Sequence, residues 1–134
     1  AGLADRVRLF PGDFMKRALP EGADLAWVSA IVHQNSRAQN RRLFAKLFSA
    51  LEPGGLVLIR DIVMDASRTS PEAGAMFAVN MLVNTAGGGT FTFSELRDDL
   101  SSAGFSRVRF LRRGQWMDSV VCASKPSGKI RRKD

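Results

Sequence analysis

"LAWVSAIVHQNSRAQNRRLFAKLFSALEPGGLVLIRDIVM", residues 25 to 64, changes its hydrophobic pattern twice. The run from Ala23 to Val32 is almost continuously apolar, as expected for a strand covered on both faces. Ser36-x-x-Gln39 then has the form of a capping box. Behind it Leu43, Phe44, Leu47, Phe48 and Leu51 recur at helical spacing, with Arg41, Arg42 and Lys46 between them. Glu52-Pro53-Gly54-Gly55 stops that helix. Leu56 to Met64 is a second apolar run of strand length. Strand, helix and strand in this order predict a parallel pair joined by a right-handed crossover.

The flanks extend the pattern. Upstream, "RVRLFPGD" sets Val7 and Leu9 against Arg6 and Arg8 and predicts a strand ending at Pro11-Gly12. Downstream, Ser70-Pro71-Glu72 is a helix start, with Ser70 as cap and an acid on the positive end of the helix dipole. That helix runs to Asn84 and dissolves into Ala86-Gly87-Gly88-Gly89. Thr92-x-x-Glu95 is a second capping box, opening a helix closed by Gly104. "SRVRFLRR" and "MDSVVCASK" predict two antiparallel strands joined at Gly114. The fold class is α/β: a partial, Rossmann-like, doubly wound sheet, mostly parallel, with a carboxyl-terminal antiparallel strand pair.

With 134 residues, 45% of them hydrophobic, the chain can bury a real core as one domain. No apolar run approaches the roughly 20 residues of a membrane span, and no signal peptide is recognisable. The single cysteine, Cys122, allows no internal disulfide, so a cytoplasmic location is expected. The net charge of +7 raises the question of nucleic acid. Five basic residues and one acid fall in residues 125 to 134, however, and no aromatic residue there could stack on a base. The domain therefore spans residues 1 to 125, residues 126 to 134 form a basic and disordered tail, and neither nucleic acid nor membrane is expected as a partner.

In parallel sheets ligands bind outside the carboxyl ends of the strands. Asp13, His33 and Asp61 fall at three such ends. Each has a bland alternative: a turn-forming aspartate, a structural histidine, a solvated loop acid. Gly87-Gly88-Gly89 follows a helix and precedes a cap, so it does not match a dinucleotide cradle. One histidine and one cysteine are too few for a metal site, and the G-x-S-x-G of a serine hydrolase is absent.

The order "AGLADRVRLFPGDF", "VSAIVHQNS", "RLFAKLFSALEPGGLVLIRDIV", "GGGTFTFSELRDDLSSAGF" resembles the carboxyl-terminal half of a class I S-adenosylmethionine-dependent O-methyltransferase. The group includes plant caffeate-type enzymes and bacterial polyketide-tailoring relatives. By this resemblance Gly12-Asp13-Phe14 matches the family motif in which the acid accepts a hydrogen bond from the adenine amino group and the next residue packs on the ring. Ser29 falls where relatives touch the methionine end of the cofactor. His33 falls on the general base, and Asp61 on a glutamate that orients it. Met81 and Thr85 fall on positions lining the acceptor pocket. The family's first two strands, its glycine-rich cofactor loop and its amino-terminal dimerisation helices have no counterpart here. The resemblance thus implies a piece of a larger, homodimeric enzyme.

That implied reaction suits these residue types. A phenol of pKa about 10 is protonated at neutral pH, and an imidazole of pKa about 6.5 can take its proton. A carboxylate behind the imidazole selects its tautomer. The expectation is transfer of a methyl group from S-adenosylmethionine to a hydroxyl of a small aromatic or polyketide-like molecule. Gln34, Asn35 and Thr90 depart from the family pattern and point to the alternative, a non-catalytic α/β domain for binding or association.

Overall fold

Two reciprocal caps set the helices that build the core. The computed structural model describes residues 2 to 128. In α1 (Arg37–Ala50) the Gln39 amide donates to Ser36 Oγ at 3.3 Å, and the Ser36 amide donates to Gln39 Oε1 at 2.7 Å. In α3 (Phe93–Ser102) Thr92 and Glu95 repeat the exchange at 3.2 and 2.9 Å. Each box satisfies two amides that the first turn would otherwise leave unpaired.

The strands are β1 (Ala23–Ser29), β2 (Leu51–Asp61), β5 (Ser106–Arg112) and β6 (Ser119–Ser124), in the order β1-β2-β6-β5. β1 and β2 are parallel, as the crossover predicts; β2–β6 and β6–β5 are antiparallel. The sheet is thus mixed, with its parallel part confined to one pairing. A separate parallel pair, β3 (Val63–Met64) and β4 (Phe91–Thr92), lies beyond β2, with α2 (Glu72–Asn84) between them in sequence.

Helices α1 and α3 cover one face of the sheet. Leu43, Phe44, Leu47, Leu96 and Leu100 pack there against Val28, Val57, Ile59, Val121 and Ala123. Phe44 is fully buried, so truncating it to alanine costs about 3–5 kcal/mol. Between the two helices the buried Asp99 accepts from Arg37 Nε at 2.8 Å and Arg41 Nε at 2.7 Å. The Asp99 hydrogen bond holds the Arg37 guanidinium above its usual pKa.

Several expectations change. Residues 6 to 13 form no strand: after a 3-10 turn (Ala4–Arg6) the chain is irregular to Gly22, with Val7, Leu9 and Phe10 exposed. Alternation says which face a strand would bury, but a strand also needs a partner for its amides, and among the described residues none pairs with it. β1 is consequently an open edge, and it is not covered on both faces: Leu25 and Trp27 are 46% and 53% exposed. The helix of residues 37–50 ends at Leu51, before Pro53, and Pro53-Gly54-Gly55 belongs to β2 as an irregular stretch. A Cβ on Gly55 would stand 2.9 Å from the Glu52 carbonyl oxygen and 3.1 Å from that of Asp24, a backbone approach that only glycine allows. Pro71 rather than Ser70 holds the N-cap position of α2, with no side-chain cap. Among the described residues, no helix is long and apolar enough to cross a membrane. From residue 129 onward the basic tail expected over 126 to 134 lies outside the described residues.

Candidate active site

The carboxyl ends of β1 and β2 bring together His33 and Asp61, 28 residues apart in sequence. β1 stops at Ser29 because Ala30 turns into the left-handed region (φ 57°), while its amide still donates to the Arg60 carbonyl at 3.0 Å. A 3-10 turn (Val32–Gln34) follows; Val32 plugs the core and presents His33 across the end of β2. Asp61 is the last residue of β2, on the face that carries Val57 and Ile59 inward. Both residues are buried, at 7% and 2% exposure.

Their contact is bidentate. His33 Nδ1 lies 2.9 Å from Asp61 Oδ1 and 3.1 Å from Oδ2. The His33 amide donates to Oδ2 at 3.4 Å and the Ile62 amide to Oδ1 at 2.8 Å. A carboxylate facing Nδ1 selects the tautomer with its proton there, which leaves Nε2 as the lone-pair nitrogen. Burial pushes the Asp61 carboxyl above its usual pKa, and attraction to His33 opposes that shift.

Three further elements pack around the histidine turn. The ring of Phe77, on α2, meets it edge-on with centroids 4.9 Å apart. The Gly89 amide donates to the His33 carbonyl at 2.9 Å. Gly88 packs so closely on His33 and Gln34 that a Cβ there would overlap the His33 carbonyl oxygen and lie 2.6 Å from Thr85 Oγ1. Glycine at position 88 therefore lets the loop close on the histidine turn. Underneath, Asn40 Nδ2 donates to the Val32 carbonyl at 2.9 Å, and Asn35 Nδ2 donates to Asn40 Oδ1 at 3.0 Å. Asn35, one of the departures from the family pattern, is thus a structural member of the turn.

The other sequence-nominated residues lie around this centre. Ser29 Oγ accepts from Arg60 Nη1 at 2.7 Å. Met81 is buried on α2; the Thr85 hydroxyl donates to the Met81 carbonyl and accepts from the Gly88 amide, both at 2.7 Å. Gly12, Asp13 and Phe14 line a separate shallow cavity of ≈ 250 Å³, and no hydrogen bond links them to His33 among the described residues. Asp13 Oδ1 accepts the Met15 amide at 2.8 Å, a bond that lowers its pKa and keeps the exposed carboxylate ionised. The turn-forming role of Asp13 is therefore realised, and Oδ2 stays open to solvent beside Lys16. Among the described residues no group of three or more His, Cys, Asp or Glu side chains could hold a metal ion.

Sequence reasoning missed Phe77, Gly88, Asn40 and Arg60. Asn40 carried a signal: a polar residue in helical phase with Leu43, Phe44 and Leu47. The Phe77 and Arg60 contacts carried none.

A family model described as an O-methyltransferase domain matches residues 1–106. The 3-hydroxy-5-methyl-1-naphthoate 3-O-methyltransferase of Streptomyces sahachiroi is 38% identical over 112 residues, covering 84% of this chain and 32% of that protein. Acetylserotonin O-methyltransferase of Gallus gallus is 35% identical over 116 residues, covering 87% of this chain and 33% of the relative. The crystal structure of human N-acetylserotonin methyltransferase in complex with SAM superimposes with a TM-score of 0.79 at 30% identity, over 87% of this chain and 33% of that one. The chain spans about a third of the length of the relatives it matches.

Proposed function

The chain belongs to the O-methyltransferase domain family, and from that premise we propose that the protein carrying it transfers a methyl group from S-adenosylmethionine to a hydroxyl of a small aromatic or polyketide-like molecule. Residues 1 to 125 serve as the carboxyl-terminal part of its catalytic domain, in a homodimeric cytoplasmic enzyme. The observation that carries this proposal is the buried His33–Asp61 pair, whose Nδ1 contact leaves Nε2 free to accept a proton.

The donor set suits the cofactor. Asp13 keeps an ionised carboxylate whose Oδ2 faces solvent with only the exposed Lys16 ammonium near it, at 3.5 Å, the right acceptor for an exocyclic amine, and Phe14 is the next residue of the same turn. Ser29 offers a hydroxyl at the end of β1, where it already holds the Arg60 guanidinium. When bound, S-adenosylmethionine supplies an electrophilic methyl group on sulfur. His33 Nε2 takes the proton of the acceptor hydroxyl, so that an oxygen otherwise protonated at neutral pH becomes nucleophilic. Asp61 holds the imidazole in the accepting tautomer and stabilises the imidazolium formed. Phe77 packs edge-on against the ring, and the Gly88–Gly89 loop holds the His33 backbone that carries it. Met81 and Thr85 border the acceptor.

The test uses the intact protein with S-adenosylmethionine and a panel of phenols that includes a hydroxynaphthoate, with methyl ethers read by mass spectrometry. His33→Ala lowers turnover roughly 10²–10⁴-fold with cofactor affinity nearly unchanged. An undiminished rate reduces His33 to a structural residue, and failure of the intact protein to bind the cofactor removes the proposal.

A further inference from the structure

Residues 2 to 22 form no strand, yet Asp13 and Phe14 belong to a defined turn. Asp13 organises that turn: its Oδ1 accepts the Met15 amide, and its carbonyl accepts the amides of Lys16 at 3.0 Å and Arg17 at 2.9 Å. One side chain supplies the hydrogen bonds that tie the turn to the rest of the molecule. Lys46, half-buried on α1, donates from Nζ to the carbonyls of Phe14 at 2.9 Å, Met15 at 2.7 Å and Arg17 at 2.9 Å. Among the described residues, the only other hydrogen bond joining residues 2–22 to the remaining structure is the Gly22 amide on the Ala50 carbonyl, at 3.1 Å. An ammonium has three protons and no acceptor, so three carbonyls satisfy it in full. No acid pairs with Lys46 among the described residues. A lysine serving only solubility would leave its ammonium in water.

The geometry points to Lys46 as a positioning residue for cofactor recognition: its ammonium pins the Asp13–Phe14 turn to α1 and so holds the acceptor carboxylate and the ring in place. α1 is a single rigid element that begins immediately after the histidine turn and carries Lys46 in its third turn. It therefore couples the position of the adenine-recognition turn to that of His33. Phe14 also packs against the core, so its ring and backbone are restrained from both sides. This inference rests on the proposed assignment of Asp13 and Phe14 to the adenine.

The experiment compares Lys46→Met, which keeps the aliphatic stem and removes the donors, with Lys46→Arg and Asp13→Ala in the intact protein. Cofactor affinity is read by calorimetry, KM and kcat by methyl transfer, and amide hydrogen exchange over residues 13–17 by mass spectrometry. Lys46→Met is expected to raise the cofactor KM and Kd about tenfold at unchanged kcat, with exchange accelerating in residues 13–17 and not in α3; Lys46→Arg recovers most of the affinity. If exchange accelerates and affinity does not change while Asp13→Ala weakens binding, Lys46 is a fastener without a role in recognition and the inference fails alone. If Asp13→Ala leaves affinity unchanged, the adenine assignment falls and takes the inference with it.

Discussion

Gly88→Ala isolates the contact between the glycine loop and the histidine turn. The added methyl would overlap the His33 carbonyl oxygen and stand 2.6 Å from Thr85 Oγ1 and 3.1 Å from the Gln34 carbonyl carbon. Two of those neighbours are backbone, so relief requires the loop to move. Overpacking of this kind costs about 1–3 kcal/mol. Displacement strains or breaks the Gly89–His33 bond at 2.9 Å or the Gly88–Thr85 bond at 2.7 Å, each worth about 1 kcal/mol. Against that, replacing glycine by alanine stiffens the unfolded chain and returns about 0.4–1 kcal/mol. The net loss is about 2 kcal/mol, roughly a thirtyfold change in the folded-to-unfolded ratio. Gly89→Ala is the matched control, because nothing lies within 4 Å of its added Cβ and its backbone is outside the left-handed region. That neighbour should be neutral or slightly stabilising. Urea unfolding of both variants, beside methyl transfer by the intact protein, reads the difference: Gly88→Ala loses stability and turnover, Gly89→Ala neither. Equal behaviour of the two refutes the idea that this loop is shaped by the histidine.

Asp61 links stability to pH. Burial raises its folded pKa above the unfolded value of about 3.9, so its contribution favours the folded state fully below that value. The contribution is lost as pH rises through the folded value. Asp61→Asn should therefore be less stable relative to wild type at pH 3.5 than at higher pH, in urea titrations run across that window; a constant difference contradicts the shift. In the intact enzyme the same substitution should lower turnover roughly 10²–10⁴-fold, because a carboxamide can present its NH₂ to Nδ1 and move the imidazole proton to Nε2. Unchanged turnover would show that the pair is not the base. Asn40→Ala orphans the Asn35 side-chain amide and takes one of two donors from the Val32 carbonyl, which keeps the Asn35 backbone amide at 3.3 Å, and should cost about 1–3 kcal/mol in unfolding experiments. A loss below about 0.5 kcal/mol would mean that water replaces both contacts.

Local signals carried the elements whose ends are made by their own residues. Ser36-Gln39 and Thr92-Glu95 each contain donor and acceptor three positions apart, so the starts of α1 and α3 could be read directly, and both boxes are present. The apolar stripe Leu43, Phe44 and Leu47 identified the buried face of α1 for the same reason: helical period is a property of the segment itself. The antiparallel pairing of β5 and β6 was legible because the two strands are adjacent in sequence. The strand expected at residues 6 to 13 had correct alternation and still did not form, because a ladder requires a partner that alternation does not provide.

The site divides along the same line. Family resemblance nominated His33 and Asp61, and the fold supplies what no spacing contains: a 2.9 Å contact across 28 residues, made when parallel β1 and β2 bring their carboxyl ends level. Gly88 read only as part of a loop between a helix and a cap, and its neighbour is the His33 backbone. Lys46 had the pattern of a solvated helix lysine, and its three carbonyl partners come from a turn about 30 residues upstream. Periodicity and capping are short-range and survive in the linear chain, so they announced the helices and most strands. Which buried polar groups meet depends on chain reversal and close packing, where one added methyl group or one lost amide partner changes the outcome, and that information exists only once the chain has folded.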